Sequence, residues 1–307
     1  MIPVFDLHAD ISEVMKREYN GSFSVLEKNW MPLMKQGGIA YSSAASFFAG
    51  SESWEEMMKT VATVRHDIEM AKAHLILSAD DLEKETDQPA FMMTVEGMCG
   101  IDEDVEDRIE WLYEKGNRIG SLAWNDENAL ATGNYGNVLR GLSEKGLKAV
   151  KEMNRLHMII DVSHANEKTF WDIMDASEFP VIATHSNAKS ICTVERNLTN
   201  QQIKAIAAKG GLIGMNACDA FISDIPENRN AGNLARHARY IADMVGVEHV
   251  ACGFDYGAYY NADEHHDLKS PEETQNFIEG LRKYGFSEDE IKDIAYRNVL
   301  RFLKKYL

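Results

Sequence analysis

Eight short apolar, β-rich runs recur along the 307-residue chain, and most are separated by a stretch with helical periodicity. Little alternation of apolar and polar residues within these runs favours strands that are covered on both faces, as in a parallel sheet. Eight strands alternating with helices predict an α/β fold of the (β/α)8 TIM-barrel class, with residues 1–307 as a single domain. The predicted strands cover residues 3–8, 39–48, 90–96, 118–124, 157–163, 180–185, 211–216 and 249–254.

The stretches between the predicted strands carry signals for the start and end of helices. Ser53 with Glu56, and Ser287 with Glu290, fit the capping box, in which the serine oxygen and the glutamate carboxylate satisfy backbone N–H groups at the start of a helix. Residues 199–209 predict a helix that ends at a glycine pair and leads into the next strand. No Pro/Gly linker or long repeat marks a domain boundary in the sequence.

Charge and composition exclude several classes of function. A net charge of −17 repels phosphate backbones, so nucleic acid is not an expected partner. The start of the chain, MIPVFDLHAD, has neither a basic region nor a long apolar segment, and no uncharged apolar stretch is long enough to cross a bilayer. We therefore expect a cytoplasmic protein without membrane contact. The four cysteines form no CxxC pair, and the sequence has no GxSxG, Walker A or HExxH motif.

Polar side chains stand at the predicted carboxyl ends of five strands. Barrel enzymes carry their active sites at this end, so the side chains are expected to meet in one place. Three histidines and three carboxylates are the kind of set that holds metal ions, and scattered surface residues would not collect at one end of a barrel. The six residues are His8, Asp10, Glu96, His164, His185 and Asp255.

The pair His8-x-Asp10 begins this set. The two residues are two positions apart, so in extended backbone their side chains point the same way. An imidazole and a carboxylate directed at one point suit a divalent metal such as Zn²⁺. A core histidine beside a helix-capping aspartate would look the same in sequence. Glu96 is more specific, because a buried glutamate is rare unless it is paired or metal-bound, and Arg118 lies at the wrong end of the neighbouring strand to pair with it. A carboxylate at this position can bridge two metals.

His164 and His185 follow neighbouring predicted strands at matching depth, which makes them candidates for the second metal. Either histidine alone is more often structural, but the whole set favours the metal hypothesis. Asp255 lies in the segment CGFDYG, where it is either a turn-forming aspartate before Gly257 or an acid/base residue. In the second case it would take a proton from metal-bound water and pass it to the leaving amine.

Eight sequence blocks resemble those of the membrane (renal) dipeptidase family, the zinc dipeptidases of peptidase family M19 among the amidohydrolase-like barrels. The resemblance spans essentially the whole chain and keeps the order of the blocks. These are DLHAD, TVEG, DVSHAN, ATHSNA, RNLTN, AKGGLIGMN, HVACGFD and RNVLRFL.

The resemblance implies a zinc-dependent dipeptidase with a hydroxide between two divalent metal ions, most simply Zn²⁺. It also implies that Asp255 is the catalytic aspartate and that Arg196 in RNLTN binds the substrate carboxylate, which a guanidinium reads through two hydrogen bonds. From sequence alone, Arg196 is equally compatible with a surface loop. Many relatives pair as dimers, so a homodimer is a further expectation. The implied ligands are His8, Asp10 and Glu96 for one metal, and Glu96, His164 and His185 for the other.

Two departures from the family pattern concern the substrate. In SLAWNDEN, Trp124 stands where the best-known members carry a substrate-contacting histidine, and Asn216-Ala-Cys218 stands where an aromatic pair is frequent. Trp124 is therefore a candidate substrate-binding residue with an altered contact. Three hypotheses about the function stay open. The chain is a dipeptidase, or a related hydrolase that acts on N-acyl amino acids, lactams or lactones, or a metal-binding relative without activity. His265-His266, in DEHHD, is interpreted as a solvated loop.

Overall fold

The strands of the computed structural model, which describes residues 1–18, 24–84, 87–257 and 266–307, form one parallel sheet that closes on itself. Each pairing between named strands is parallel, and the last strand pairs with the first, which confirms the predicted α/β barrel. The strands are β1 (Val4–Ala9), β2 (Ile39–Phe47), β3 (His74–Leu75), β4 (Ala90–Glu96), β5 (Asn117–Ser121), β6 (Ile159–Ile160), β7 (Ile213–Met215) and β8 (Val250–Cys252).

The sixth position of the barrel is filled by the segment predicted as a strand over residues 180–185. It forms one bridge on each side, from Ile182 to Asp161 after β6 and from Ala183 to Ile213 of β7, so the ring of eight is complete. The segment lies very close to its neighbours. A Cβ atom added at Gly214 or Gly253 would come within 2.0 Å of the Thr184 carbonyl oxygen. Only glycine allows this approach.

The other predicted strands are confirmed in position, although three have half of the predicted length or less. Residues 157–163 contribute only β6, residues 211–216 only β7, and residues 249–254 only β8. Beyond β8, the N–H of Phe254 donates to the Asp6 carboxylate and not to the backbone of a neighbouring strand. β3 was not predicted, since two residues carry no periodic signal. It pairs with the first residues of β4 and lies outside the ring.

At least one helix follows each position of the ring. Ser53 and Ser287 cap their helices through the predicted capping boxes, and Thr199 caps a third in the same way. The α-helices are α1 (Ile11–Glu18), α2 (Met31–Gly37), α3 (Trp54–Met70), α4 (Val105–Glu114), α5 (Glu144–Leu156), α6 (Glu167–Ala176), α7 (Asn200–Ala208), α8 (Asp219–Ile222), α9 (Ala231–Val245), α10 (Gln275–Lys283), α11 (Glu288–Lys292) and α12 (Asn298–Tyr306).

The core has two layers that follow from the barrel. The smaller one takes residues from strands all around the ring, such as Phe5, Met92 and Ile182, and is closed by Phe302 and other residues of α12. Because these strand residues face inwards, they fill the lower barrel interior. The larger layer lies between the sheet and the helices. Because apolar side chains fill the lower part of the barrel, polar side chains can occupy its upper part, at the carboxyl ends of the strands.

Candidate metal centre

A bulge in β1 turns the first candidate ligand towards the barrel axis. Asp6 pairs with Ser42 and Ala9 with Ala44, so β1 has one more residue than β2 between these pairs. Leu7 belongs to the interior core, and the extra residue allows His8 to face inwards one level above it. The Asp6 carboxylate holds this arrangement, since its Oδ1 accepts hydrogen bonds from the N–H groups of His8 and Phe254 at 3.3 and 2.8 Å.

Glu96, at the end of β4, is the centre of the site. Its side chain is only 4% exposed. Oε1 lies 2.7 Å from Nε2 of His164 and 3.3 Å from Nε2 of His185, while Oε2 lies 3.4 Å from Nε2 of His8. The two carboxylate oxygens therefore face different histidines, as a bridging ligand requires.

The imidazoles of His8, His164 and His185 converge on Glu96. The Nε2 atoms of His164 and His185 are 3.0 Å apart, and the rings of His8 and His185 have centroids 3.9 Å apart. Nε2 of His8 is also 3.5 Å from Oδ1 of Asp10. Nε2 of His8 and Oδ1 of Asp10 are both buried, and neither has a hydrogen-bond partner among the described residues. A bound metal ion would provide the missing partner for buried polar atoms such as these.

The ligand atoms form three overlapping groups in which every atom lies within 4.8 Å of the others. Imidazole nitrogens and carboxylate oxygens in such groups suit divalent metals, so the residues present fit a site for two ions. Two of the groups are the ligand sets that the resemblance implies. The groups are His8, Asp10 and Glu96; Glu96, His164 and His185; and His8, His185 and Asp255.

The electrostatics of the cluster also favour a cation. Burial raises the pKa of the Asp10 carboxyl well above its usual value, and the charge of Glu96 adds to the effect. Burial acts on Glu96 in the same direction, but the charge of His8 and the hydrogen bond with His164 at 2.7 Å outweigh it and hold the pKa of Glu96 well below its usual value. Burial and the Arg196 guanidinium lower the pKa of His164 to about 4, so this imidazole is neutral at pH 7 and can donate a lone pair.

Asp255 follows β8 and lies beside the cluster. Its backbone adopts the left-handed region with φ of +65°, and its N–H donates to the carbonyl of His8 at 3.0 Å. Such a conformation is uncommon for a residue other than glycine and is often found at functional sites. Oδ1 lies 3.7 Å from Nε2 of His8, while Oδ2 accepts a hydrogen bond from the amide of Asn216 at 3.0 Å. Asp255 is thus part of a turn and also faces the ligands.

Arg196 lies in a turn, but the residue is buried, with 3% of its surface exposed. It donates hydrogen bonds to the carbonyls of Ser163 and His185, and Nη2 lies 3.3 Å from Nε2 of His164. The guanidinium also lies over the ring of Phe221, 5.5 Å from its centroid. These contacts hold a fixed positive charge at the edge of the cluster.

A cavity of about 390 Å³ opens onto the ligands and contains Trp124 in its wall. Trp124 packs edge-on against Phe47, with ring centroids 4.9 Å apart. Sequence reasoning missed five of the lining residues, because none has a motif and each reaches the cavity only through the fold. These are Glu13, Phe47, Asn125, Tyr135 and Phe221.

The interpretation of the DEHHD segment as a solvated loop is wrong for His266. This residue is buried, and its Nδ1 lies 3.3 Å from the carbonyl oxygen of Arg229, so packing against the 223–230 segment removes it from solvent. His265 lies outside the described residues. Within the described part of the chain, no helix combines the length and apolar character needed to span a membrane.

Three known proteins illustrate the similarities of the chain. A Klebsiella pneumoniae protein named only by its place in the pqqA 5′ region is 33% identical over 266 residues, which cover 82% of this chain and 94% of that protein. An uncharacterised dipeptidase of Schizosaccharomyces pombe is 32% identical over 218 residues, 69% of this chain and about half (52%) of the relative. The crystal structure of a Rhodobacter sphaeroides metallopeptidase, liganded with a phosphinate mimic of the dipeptide L-Ala-D-Ala, superposes with a TM-score of 0.87 at 22% identity, covering 100% of this chain and 99% of that one.

The crystal-structure similarity agrees with the barrel fold, and the sequence similarity extends along most of the chain. The family model described as membrane dipeptidase, peptidase family M19, matches residues 1–306. A match of this extent includes each strand of the barrel and each candidate ligand. The chain therefore belongs to the membrane dipeptidase family, peptidase family M19.

Proposed function

We propose that the dipeptidase activity of this chain depends on two divalent metal ions held by the side chains around Glu96. His8, Asp10 and Glu96 would hold one ion, and Glu96, His164 and His185 the other. The observation that carries this proposal is the position of the Glu96 carboxylate, whose oxygens lie 2.7–3.4 Å from the Nε2 atoms of three buried histidines. Zn²⁺ is the metal we propose, because it is bound by imidazole and carboxylate ligands. When bound, the ions supply Lewis acidity that activates water and polarises the scissile carbonyl.

Asp255 is the acid/base residue in this proposal. Its Oδ1 faces the ligand cluster, and the hydrogen bond from Asn216 to Oδ2 fixes the carboxylate in that orientation. From this position Asp255 accepts a proton as water attacks the amide carbon. It then delivers the proton to the amine nitrogen as the C–N bond breaks.

Charges on the cavity wall suit the two ends of a dipeptide. The Arg196 guanidinium would bind the terminal carboxylate. The Glu13 carboxylate, which is paired with Lys16 at 2.6 Å, would take the terminal ammonium group as a second partner. The cavity, at about 390 Å³, lies at the small end of the range of roughly 300–1,000 Å³ for ligand pockets, which favours short substrates. Trp124 and Phe47 add an apolar wall for a side chain.

A related hydrolase of N-acyl amino acids is the second candidate function, and Trp124 is the observation that favours it. Where Trp124 stands, the best-known family members have a histidine, so an indole replaces a polar contact. An N-acyl amino acid has a carboxylate for Arg196 but no ammonium group for Glu13. The two functions therefore differ in what they require of the amino end of the substrate.

The deciding experiment is a metal analysis of the purified protein, followed by a panel of L,L and L,D dipeptides beside N-acyl amino acids. We expect two metal ions per chain and faster hydrolysis of dipeptides with a free amino terminus. Full activity after exhaustive metal removal would refute the metal-dependent scheme. Faster hydrolysis of the N-acyl compounds would favour the second function. The cytoplasmic location and the homodimer stay predictions, which fractionation and size-exclusion chromatography would test.

A further inference from the structure

A buried carboxylate, Asp161, lies directly behind the metal ligands and has no role in the proposed chemistry. It follows β6 and is 4% exposed. Its Oδ1 accepts hydrogen bonds from the N–H and hydroxyl of Ser163, at 3.0 and 2.6 Å, and from the N–H of Thr184 at 3.0 Å. Its Oδ2 accepts a fourth from the Thr184 hydroxyl at 2.6 Å. Four donors around one buried carboxylate stabilise its charged form.

The hydrogen bonds of Thr184 determine which nitrogen of His185 carries the proton. The Thr184 hydroxyl has a single hydrogen, and the Asp161 carboxylate can only accept, so that hydrogen lies between them. Thr184 Oγ1 is also 2.7 Å from Nδ1 of His185, and with its own hydrogen used it must accept from that nitrogen. His185 therefore carries its proton on Nδ1. That leaves Nε2, which faces Nε2 of His164 at 3.0 Å and Oε1 of Glu96 at 3.3 Å, as the nitrogen available to a metal ion.

We propose that Asp161 and Thr184 are positioning residues that act through His185, fixing its tautomer and strengthening Nε2 as a metal ligand. The proposal rests on the two-metal site described above. The chain of hydrogen bonds runs from a charged carboxylate through a hydroxyl to the imidazole, so negative charge on Asp161 makes the imidazole a better donor to a cation. Outer partners of this kind change metal affinity by about 10- to 100-fold.

His164 and His185, which would hold the same metal ion, differ in the hydrogen-bond partners of their Nδ1 atoms. Nδ1 of His164 lies 3.2 Å from the side-chain oxygen of Asn125, a neutral amide in the cavity wall. His185 is fully buried and connected to a charge. We therefore expect the ion held by Glu96, His164 and His185 to depend on Thr184 more strongly than the ion on the His8 side.

A matched pair of variants tests the proposal. Thr184→Val keeps the shape and loses the hydroxyl, whereas Thr184→Ser keeps the hydroxyl and loses the methyl group. Metal-free proteins are titrated with Zn²⁺ against a chromophoric chelator, with circular dichroism as the check of folding. Thr184→Val should bind one of the two ions about 10- to 100-fold more weakly than the wild type, while Thr184→Ser stays within about threefold. Wild-type affinity in Thr184→Val, or an equal loss in both variants, would overturn the proposal.

A second measurement needs no variant and no metal. Long-range ¹H–¹⁵N correlation spectra of the metal-free wild-type protein at neutral pH report which nitrogen of each histidine is protonated. We expect His185 to carry its proton on Nδ1, and a proton on Nε2 would contradict the proposal even if Thr184→Val fails to fold. Neither test uses a dipeptide, so failure of the proposed catalytic activity would be seen separately from failure of this inference.

Discussion

The amide of Asn216, after β7, donates a 3.0 Å hydrogen bond to Oδ2 of Asp255, after β8. Asn216 is fully buried, and its own backbone N–H is held by the side-chain oxygen of Asn187 at 3.0 Å. The proposed acid/base carboxylate is therefore fixed through Oδ2, while its Oδ1 faces Nε2 of His8. A group held in this way can exchange protons with substrate without first being reoriented.

Replacing Asp255 tests its role in proton transfer. Asp255→Asn keeps the size of the side chain but cannot accept a proton, so we expect kcat to fall by about 10²- to 10⁴-fold while both metal ions stay bound. Steady-state kinetics on a dipeptide, with metal content measured on the same sample, checks this. Near-normal turnover by the fully loaded variant would show that another group transfers the proton.

Glu96 is the side chain whose replacement should affect both metals. Glu96→Gln removes the shared negative charge from a buried site with three imidazoles, so we expect fewer than one metal ion per chain after dialysis. Mass spectrometry of the metal content measures the loss. Glu13→Gln is the matched control, because it removes a carboxylate from the same cavity but outside the ligand groups and should retain two ions. Two tightly bound ions in Glu96→Gln would contradict the bridging role.

Arg196 should affect substrate binding more than the chemical step. Arg196→Lys keeps the charge but loses the paired hydrogen bonds of the guanidinium, so we expect KM for a dipeptide to rise by roughly 10- to 100-fold with a smaller change in kcat. The control substrate is the same dipeptide with a C-terminal carboxamide, on which wild type and variant should differ little. An equal loss on both substrates would mean that Arg196 acts through its contacts with Ser163 and His185 instead.

A buried histidine away from the ligands predicts a loss of stability in acid. Nδ1 of His237 accepts a hydrogen bond from the N–H of Ala188, and Nε2 donates to the carbonyl of Ile222, so the ring must be neutral. Burial lowers its pKa from 6.5 to about 4. Between these values the unfolded chain takes up a proton that the folded protein excludes, so the free energy of unfolding falls as the pH drops from 6.5 to 4. The full effect is on the order of 3 kcal/mol.

Urea unfolding between pH 7 and 4.5, at constant ionic strength, measures this loss. His237→Gln provides the comparison, because the amide can replace both hydrogen bonds but does not titrate in this range. We expect the stability difference between wild type and variant to shrink steadily as the pH falls. A difference that stays constant with pH would show that His237 is not kept neutral by the fold.

The order of the strands and a set of candidate ligands could be predicted from the sequence. Apolar runs separated by helical periodicity identify a parallel barrel, and the carboxyl ends of its strands must meet at one end, so His8, Glu96 and His185 could be assigned to one site without coordinates. The HxD spacing predicted that both side chains face one site, and in the structure His8 and Asp10 lie 3.5 Å apart beside Glu96. It did not reveal the bulge in β1, since an extra residue in a ladder depends on the partner strand.

Only the tertiary structure decided the contacts between residues that are far apart in the chain. Arg196 could not be distinguished from a surface arginine, and Glu13, Asn216 and the Asp161–Thr184 pair had no motif to identify them. The physical reason is that strand and helix patterns report which face of an element is buried. Which polar groups then meet is fixed when the ring closes and brings loops from different strands together. The sequence by itself determined the barrel and the types of the candidate ligands, while barrel closure decided the geometry around them.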